Sequence, residues 1–209
     1  SYDRSYDELG GFMELSEAIE SLTEWVQTNL CDVELLKPSD TNMSKDYEPV
    51  KPKAFSLYVP PKDSLPPDVD AQIPSICVQL KDGSDDLKGD GRSLNFRLAF
   101  SAYRPGRFEP VTDDDGKVVT DDKGNPEIKF IRNTDGWKDL WLWISRSLNR
   151  IYKDVYIEGM RVDRTTPVKY GHFSIDDTLV DAYPFWYAYI EFTMKCGLKP
   201  SNNSYNEFL

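Results

Sequence analysis

One histidine, His172, stands among 36 acidic residues and three cysteines, and that inventory bounds the chemistry open to this chain. A Ser/His/Asp or Cys/His arrangement would rest on this single imidazole, and paired-histidine metal sites are out of reach. Its neighbours Gly171 and Phe173 form no nucleophile or base motif, so a structural or surface role is the expectation. No Cys-x-x-Cys, His-Glu-x-x-His, Gly-x-x-x-x-Gly-Lys-Ser/Thr or Gly-x-Gly-x-x-Gly occurs. Cys31, Cys77 and Cys196, odd in number and widely spaced, read as reduced thiols. No catalytic, cofactor-binding or metal-ligating residue is assigned, and the chain is not expected to be an enzyme.

The aspartate-rich turns invite a calcium reading, because hard cations want several oxygens converging from a glycine-containing loop. The EF-hand spacing fails at each candidate glycine. With Gly116 in place the first ligand position is Val111; with Gly124 it is Val119, and Lys123 fills the third ligand slot. With Gly91, Lys88 falls between Asp86 and Asp90, and Arg97 takes the closing position. The carboxylates are too numerous for a glycosidase pair to be picked out, since that assignment depends on their separation across a sugar. Trp137, Trp141, Trp143 and Trp186 would stack on sugars if exposed, but their helix and strand periodicity reads as core. A cell-wall glycan hydrolase or sugar-binding domain is the alternative from this class.

A formal charge of −11 disfavours tracking along a phosphate backbone, which draws its affinity from clustered Lys and Arg. No apolar run approaches the roughly 20 residues needed to span a bilayer, and Ser1-Tyr2-Asp3-Arg4 lacks an export pattern. Folding in a cytoplasm, without membrane contact, is expected.

The elements that would carry any surface follow from periodicity. Leu15, Ile19, Leu22, Val26 and Leu30 recur at spacings of three and four, which predicts an amphipathic helix over 14–30. Prolines 38, 49, 52, 60, 61, 66 and 67 make 32–69 an extended connection with a short strand at Phe55–Val59. It either wraps a surface, reaches a neighbour or stays a disordered loop. Ile73–Leu80 and Ser93–Tyr103 alternate apolar and polar residues and predict an antiparallel hairpin around a polar turn-rich stretch, Lys81–Gly91. Trp137, Leu140, Trp141, Ile144, Leu148 and Ile151 form a second helical stripe, with Thr134 or Asp135 as N-cap. Trp143 lies off that stripe and reads as core flank or exposed contact. Strands are predicted at Tyr156–Arg164 and Tyr183–Phe192, split by a polar loop with Asp176-Asp177. The second strand has two apolar faces, so it should be central in the sheet or covered on each side. Leu94, Phe96, Leu98, Trp137, Trp141, Ile144, Tyr187 and Tyr189 are the expected core.

Together these predict one α+β domain over 1–209, an α/β sandwich with a mainly antiparallel sheet of about four to six strands packed against two helices. Glu109–Glu127 is read as an inserted acidic hairpin, with turns at Asp115-Gly116 and Lys123-Gly124-Asn125 around Val118-Val119. Seven acids against two lysines give it −5 of the chain's −11. It is either a solvated projection without a role or an arm that meets a partner.

Pro74-Ser75-Ile76-Cys77-Val78-Gln79 leading into Asn95-Phe96-Arg97-Leu98-Ala99-Phe100-Ser101-Ala102-Tyr103 carries a resemblance. So do Gly136-Trp137-Lys138-Asp139-Leu140 through Leu148, and Tyr183-Pro184-Phe185-Trp186-Tyr187-Ala188-Tyr189-Ile190-Glu191-Phe192. The order helix, extended connection, two strands, helix, two strands resembles the tail terminator (tail completion) proteins of long-tailed bacteriophages, over about 14–30 and 70–198. The Pro-rich connection and the acidic hairpin depart from the compact form. The resemblance implies a virion protein at the tail–neck junction, assembled in the host cytoplasm. It would form a hexameric ring that caps the tail tube protein, ends polymerisation and offers the joining surface to a head-closure or connector protein. DNA would pass through the lumen without specific binding. Asp113, Asp114, Asp115, Asp121 and Asp122 would be exposed partner-binding residues, with Val118 and Val119 pairing with a neighbour. Another head–tail connector, a tail tube subunit or a host-encoded acidic adaptor would share this size and acidity.

Overall fold

Alternation of Leu94, Phe96, Leu98, Phe100 and Ala102 with polar partners builds the spine of the molecule, because every second side chain of a strand faces the same way. All five are buried. In a computed structural model describing residues 13–38, 48–88, 91–132, 135–153, 156–175, 178–179 and 183–197, the chain runs as follows. First come α1 (Leu15–Asn29), β1 (Leu35–Leu36), β2 (Pro49–Val50), β3 (Lys53–Ser56), β4 (Ser75–Asp86) and β5 (Gly91–Tyr103). Next are β6 (Gly106–Pro110), β7 (Ile128–Arg132), α2 (Trp137–Lys153), β8 (Tyr156–Ile157) and β9 (Met160–Val162). The last are β10 (Lys169–His172), β11 (Ser174–Ile175), β12 (Thr178–Leu179) and β13 (Phe185–Gly197).

The fold is α+β. A seven-stranded sheet has the order β3-β4-β5-β13-β9-β8, with β10 also on β13. Only the β3–β4 pair is parallel. Ile76 and Val78 of β4, the alternate residues of β5, and Ala188, Ile190, Phe192 and Met194 of β13 form one buried face. Against it pack Ala18, Ile19, Leu22 and Val26 of α1 and Leu140, Trp143, Ile144 and Ile151 of α2. Gln27 clips α1 to the sheet edge: its side-chain oxygen accepts from Ala54 N at 2.8 Å and its amide donates to Pro52 O at 3.2 Å. That satisfies edge-strand groups that would otherwise offer a pairing template.

As its two apolar faces predicted, β13 is central, bonded to β5 on one side and to β9 and β10 on the other. Other expectations need correction. The strand expected at Phe55–Val59 is Lys53–Ser56, and Tyr156–Arg164 is two short strands broken at Glu158-Gly159, both at positive φ. Lys169–His172 is a strand the polar sequence concealed; its pairing with β13 comes from tertiary context. The turn-rich stretch Lys81–Gly91 is mostly strand: β4 runs to Asp86 and Arg92 grips Asp85 through two bonds of 2.7 and 2.8 Å. Leu87 sits 84% exposed near its tip. Trp137, expected in the core, is 41% exposed, whereas Trp143 is 2% exposed at the centre of the helix–sheet contact. The real stripe is rotated, because Ser147 rather than Leu148 continues it and small residues carry no hydrophobic signal. Tyr187 and Tyr189, also expected in the core, are half-buried on the opposite face. Thr134, Asp176-Asp177 and the tail from 198 lie outside the described residues.

Candidate functional site

The opposite sheet face is polar and aromatic. Glu191 accepts from Arg97 at 2.7–2.8 Å and from Lys81 at 3.0 Å. Partial burial pushes its carboxyl up, and these cations outweigh that and hold it below the usual range. Lys81 reaches Glu191 at the register shift between Leu80 and Asp82, where a bulge re-aims side chains. His172 lies on β10, edge-on to Trp141 with ring centroids 4.9 Å apart. Among the described residues no acid or nucleophile hydrogen-bonds to it, and no group of three or more His, Cys, Asp or Glu is placed around a metal position.

Polar density instead concentrates in an arm. Among the described residues β6 and β7 pair only with each other, from Gly106↔Arg132 to Pro110↔Ile128, so the predicted insertion begins three residues earlier than its acidic stretch. Five residues of strand make a stem about 17 Å long. Its root is fixed by the residues around Tyr183-Pro184. Tyr183 donates its hydroxyl to Pro105 O, Arg132 lies 4.5 Å over the Tyr183 ring, and Arg104 N donates to Pro184 O at 3.0 Å. Gly106 is required here, since an added Cβ would lie 2.2 Å from Ile131 O. Gly136 has the same constraint: its Cβ would fall 2.7 Å from both Arg104 O and the Trp186 indole nitrogen.

Beyond the stem the chain forms two copies of one eight-residue finger. Val111-Thr112-Asp113-Asp114-Asp115-Gly116-Lys117-Val118 is followed by Val119-Thr120-Asp121-Asp122-Lys123-Gly124-Asn125-Pro126. The bonding repeats with the sequence. Asp113 N donates to Lys117 O at 2.9 Å, and Asp121 N to Asn125 O at 2.8 Å. Thr112 bridges Val118, and Thr120 bridges Pro126. The Asp113 carboxylate accepts from the amides of Asp115 and Lys117; that of Asp121 accepts from Lys123 and Asn125, all at 2.8–3.0 Å. These bonds, led by the Asn125 amide, hold the Asp121 carboxyl below its ordinary range. Gly116 and Gly124 close the turns at φ +78° and +79°, a region only glycine enters freely. A ring of three backbone bonds binds the fingers: Val119 N to Val111 O at 2.8 Å, Glu127 N to Val119 O at 2.9 Å, and Val111 N to Glu127 O at 2.8 Å.

Asp113, Asp114, Asp115, Asp121 and Asp122 are all exposed, but they divide into two kinds. Asp113 and Asp121 fold the fingers; the carboxylates of Asp114, Asp115 and Asp122 hold no hydrogen bond or ion pair among the described residues and are left to face outward. Val119 has both backbone groups bound within the arm, so what it presents outward is side chain, and its neighbour Val118 is 47% exposed. The period of eight was legible in the sequence as a repeated Val-Thr-Asp-Asp-x-Gly, a signal that reading single turns does not reveal.

No protein-family model, curated protein or solved structure matches this chain.

Proposed function

We propose that this chain is a structural virion protein that caps a phage tail tube as a ring, ends tail polymerisation and forms the surface on which the head joins. The observation that carries the reading is the acidic arm: a two-stranded ribbon rooted on an α+β body, with its outward carboxylates free for a partner. Supporting it are the element order of the tail terminator proteins and the Tyr183-Pro184-aromatic segment, which here anchors the arm's root. Ring closure needs two different patches per subunit, and a body with a projecting arm supplies two. The partners are further copies of this chain, a tail tube protein and a head-closure protein. A net charge of −11 suits a lumen that DNA must traverse without adhering.

Purified chain added to tail tube protein polymerising in vitro tests this. Capping arrests lengthening and leaves the chain only at tube ends. Incorporation along the tube would identify a tube subunit instead, and unaltered growth with no end-binding would remove the proposal.

A further inference from the structure

Helix α2 is a basic element in an acidic protein. Lys138, Arg146, Arg150 and Lys153 face one acid, Asp139, which Arg104 approaches at 3.3 Å. Arg146, Arg150 and Lys153 are exposed, and none is held in an ion pair among the described residues. With Asn29, Leu30, Asp32, Val33, Ser147 and Asn149 they line an open groove of about 410 Å³ between the end of α1 and the last turns of α2. The one acid there, Asp32, is bound to Lys51 at 2.7 Å. On the groove wall Ser147 is 1% exposed, and its Oγ has no hydrogen-bond partner among the described residues.

We infer that this groove receives the acidic fingers of a second copy of the chain, with Asp114, Asp115 and Asp122 meeting Arg146, Arg150 and Lys153. Charge complementarity selects the occupant: the arm concentrates −5 of the chain's charge, and its outward aspartates are as unpaired as the groove's cations. Among the described residues no finger residue lines the groove of its own chain, so the contact runs between copies. The arm's root abuts Gly136 at the start of α2, whereas Arg150 lies fourteen residues on, about 21 Å along the helix. Two different patches at separate places give a head-to-tail contact, the kind that closes into rings. The inference rests on the ring reading above and names its subunit contact.

Mass photometry of the full chain over a range of protein and salt concentrations tests it. Wild type should associate and dissociate as salt rises. Reversing the fingers (Asp114→Lys, Asp115→Lys, Asp122→Lys) or the groove (Arg146→Glu, Arg150→Glu) should each weaken association by roughly ten-fold or more, and combining both should restore it. Circular dichroism verifies that each variant is folded. A monomeric wild type at every concentration, unchanged association in the single-side variants, or failure of the combined variant overturns the contact. A genome lacking the gene that still yields normal joined particles removes the ring reading instead, whatever the salt dependence.

Discussion

The Trp143 indole N–H donates to the Leu30 carbonyl at 2.7 Å inside the core, tying the end of α1 to the middle of α2. The ring also stands edge-on to Phe100, centroids 4.9 Å apart at 83°, so one side chain joins both helices to the sheet. Trp143→Phe keeps most of the packing but strands a buried carbonyl, and should cost about 1–2 kcal/mol. Trp143→Ala should cost about 3–5 kcal/mol. Urea unfolding checks both; a Trp143→Phe protein as stable as the wild type would mean the hydrogen bond contributes nothing.

Asp163 is one of the carboxylates that make stability depend on acid. Its oxygens accept from the Thr165 hydroxyl at 2.7 Å, the Thr165 amide at 2.9 Å and the Thr166 hydroxyl at 2.8 Å, and Lys195 lies 3.2 Å away. These bonds, the Thr165 hydroxyl first, hold the carboxyl well below its usual range against the opposing effect of burial. A depressed folded value contributes stability fully present above the unfolded carboxylate pKa of about 3.9 and lost as pH falls below it. Asp163→Ala should lower stability at pH 7 by about 1.5–3 kcal/mol. It should also flatten the decline in stability between pH 5 and pH 3, read from melting curves. A parallel decline in both proteins would refute the assignment.

The fingers should fail locally. Gly116→Ala places a side chain in the left-handed region at a cost of about 1–2 kcal/mol, and Asp113→Ala removes the acceptor for two turn amides. Amide exchange at Asp115 and Lys117 should rise in both variants while the melting temperature of the body stays within about 1 °C, since the arm is its own ribbon. A cooperative loss of body stability would show the arm to be part of the core.

The thiols should separate by burial. Cys31 and Cys77 are buried free thiols, pushed up by desolvation to about 12 and about 11. At pH 8 almost none of either is thiolate, the reactive form. Only Cys196, half-buried, should react with an aromatic disulfide reagent before unfolding, and the other two only after it. Three fast thiols in the native protein would contradict this packing.

How far the sequence revealed this molecule depends on the interaction considered. Period-two alternation from Leu94 to Phe100 and the two-faced segment around Ala188 gave the central strands, because burial on a sheet face writes itself into every second residue. The spacing of Ile19, Leu22 and Val26 likewise gave α1. Trp137 reads wrongly as core, and Trp143 stays open between core flank and exposed contact, because a large aromatic at a stripe edge reads alike in or out; for Trp143 a partner 113 residues away, Leu30, decides it. Lys169–His172 carries no alternation and is a strand only because β13 offers it an edge. In the arm, the acidic composition was plain, but the division of its aspartates into two that fold the fingers and three that face outward depends on which amides they reach. The basic groove combines residues of two helices, so no local pattern announces it.

Electron microscopy of particles from a source genome lacking this gene tests the central claim most directly. Overlong or ragged tails unattached to full heads are the predicted result. Normal joined particles, or a genome that yields no tailed particles with the gene intact, would contradict the account.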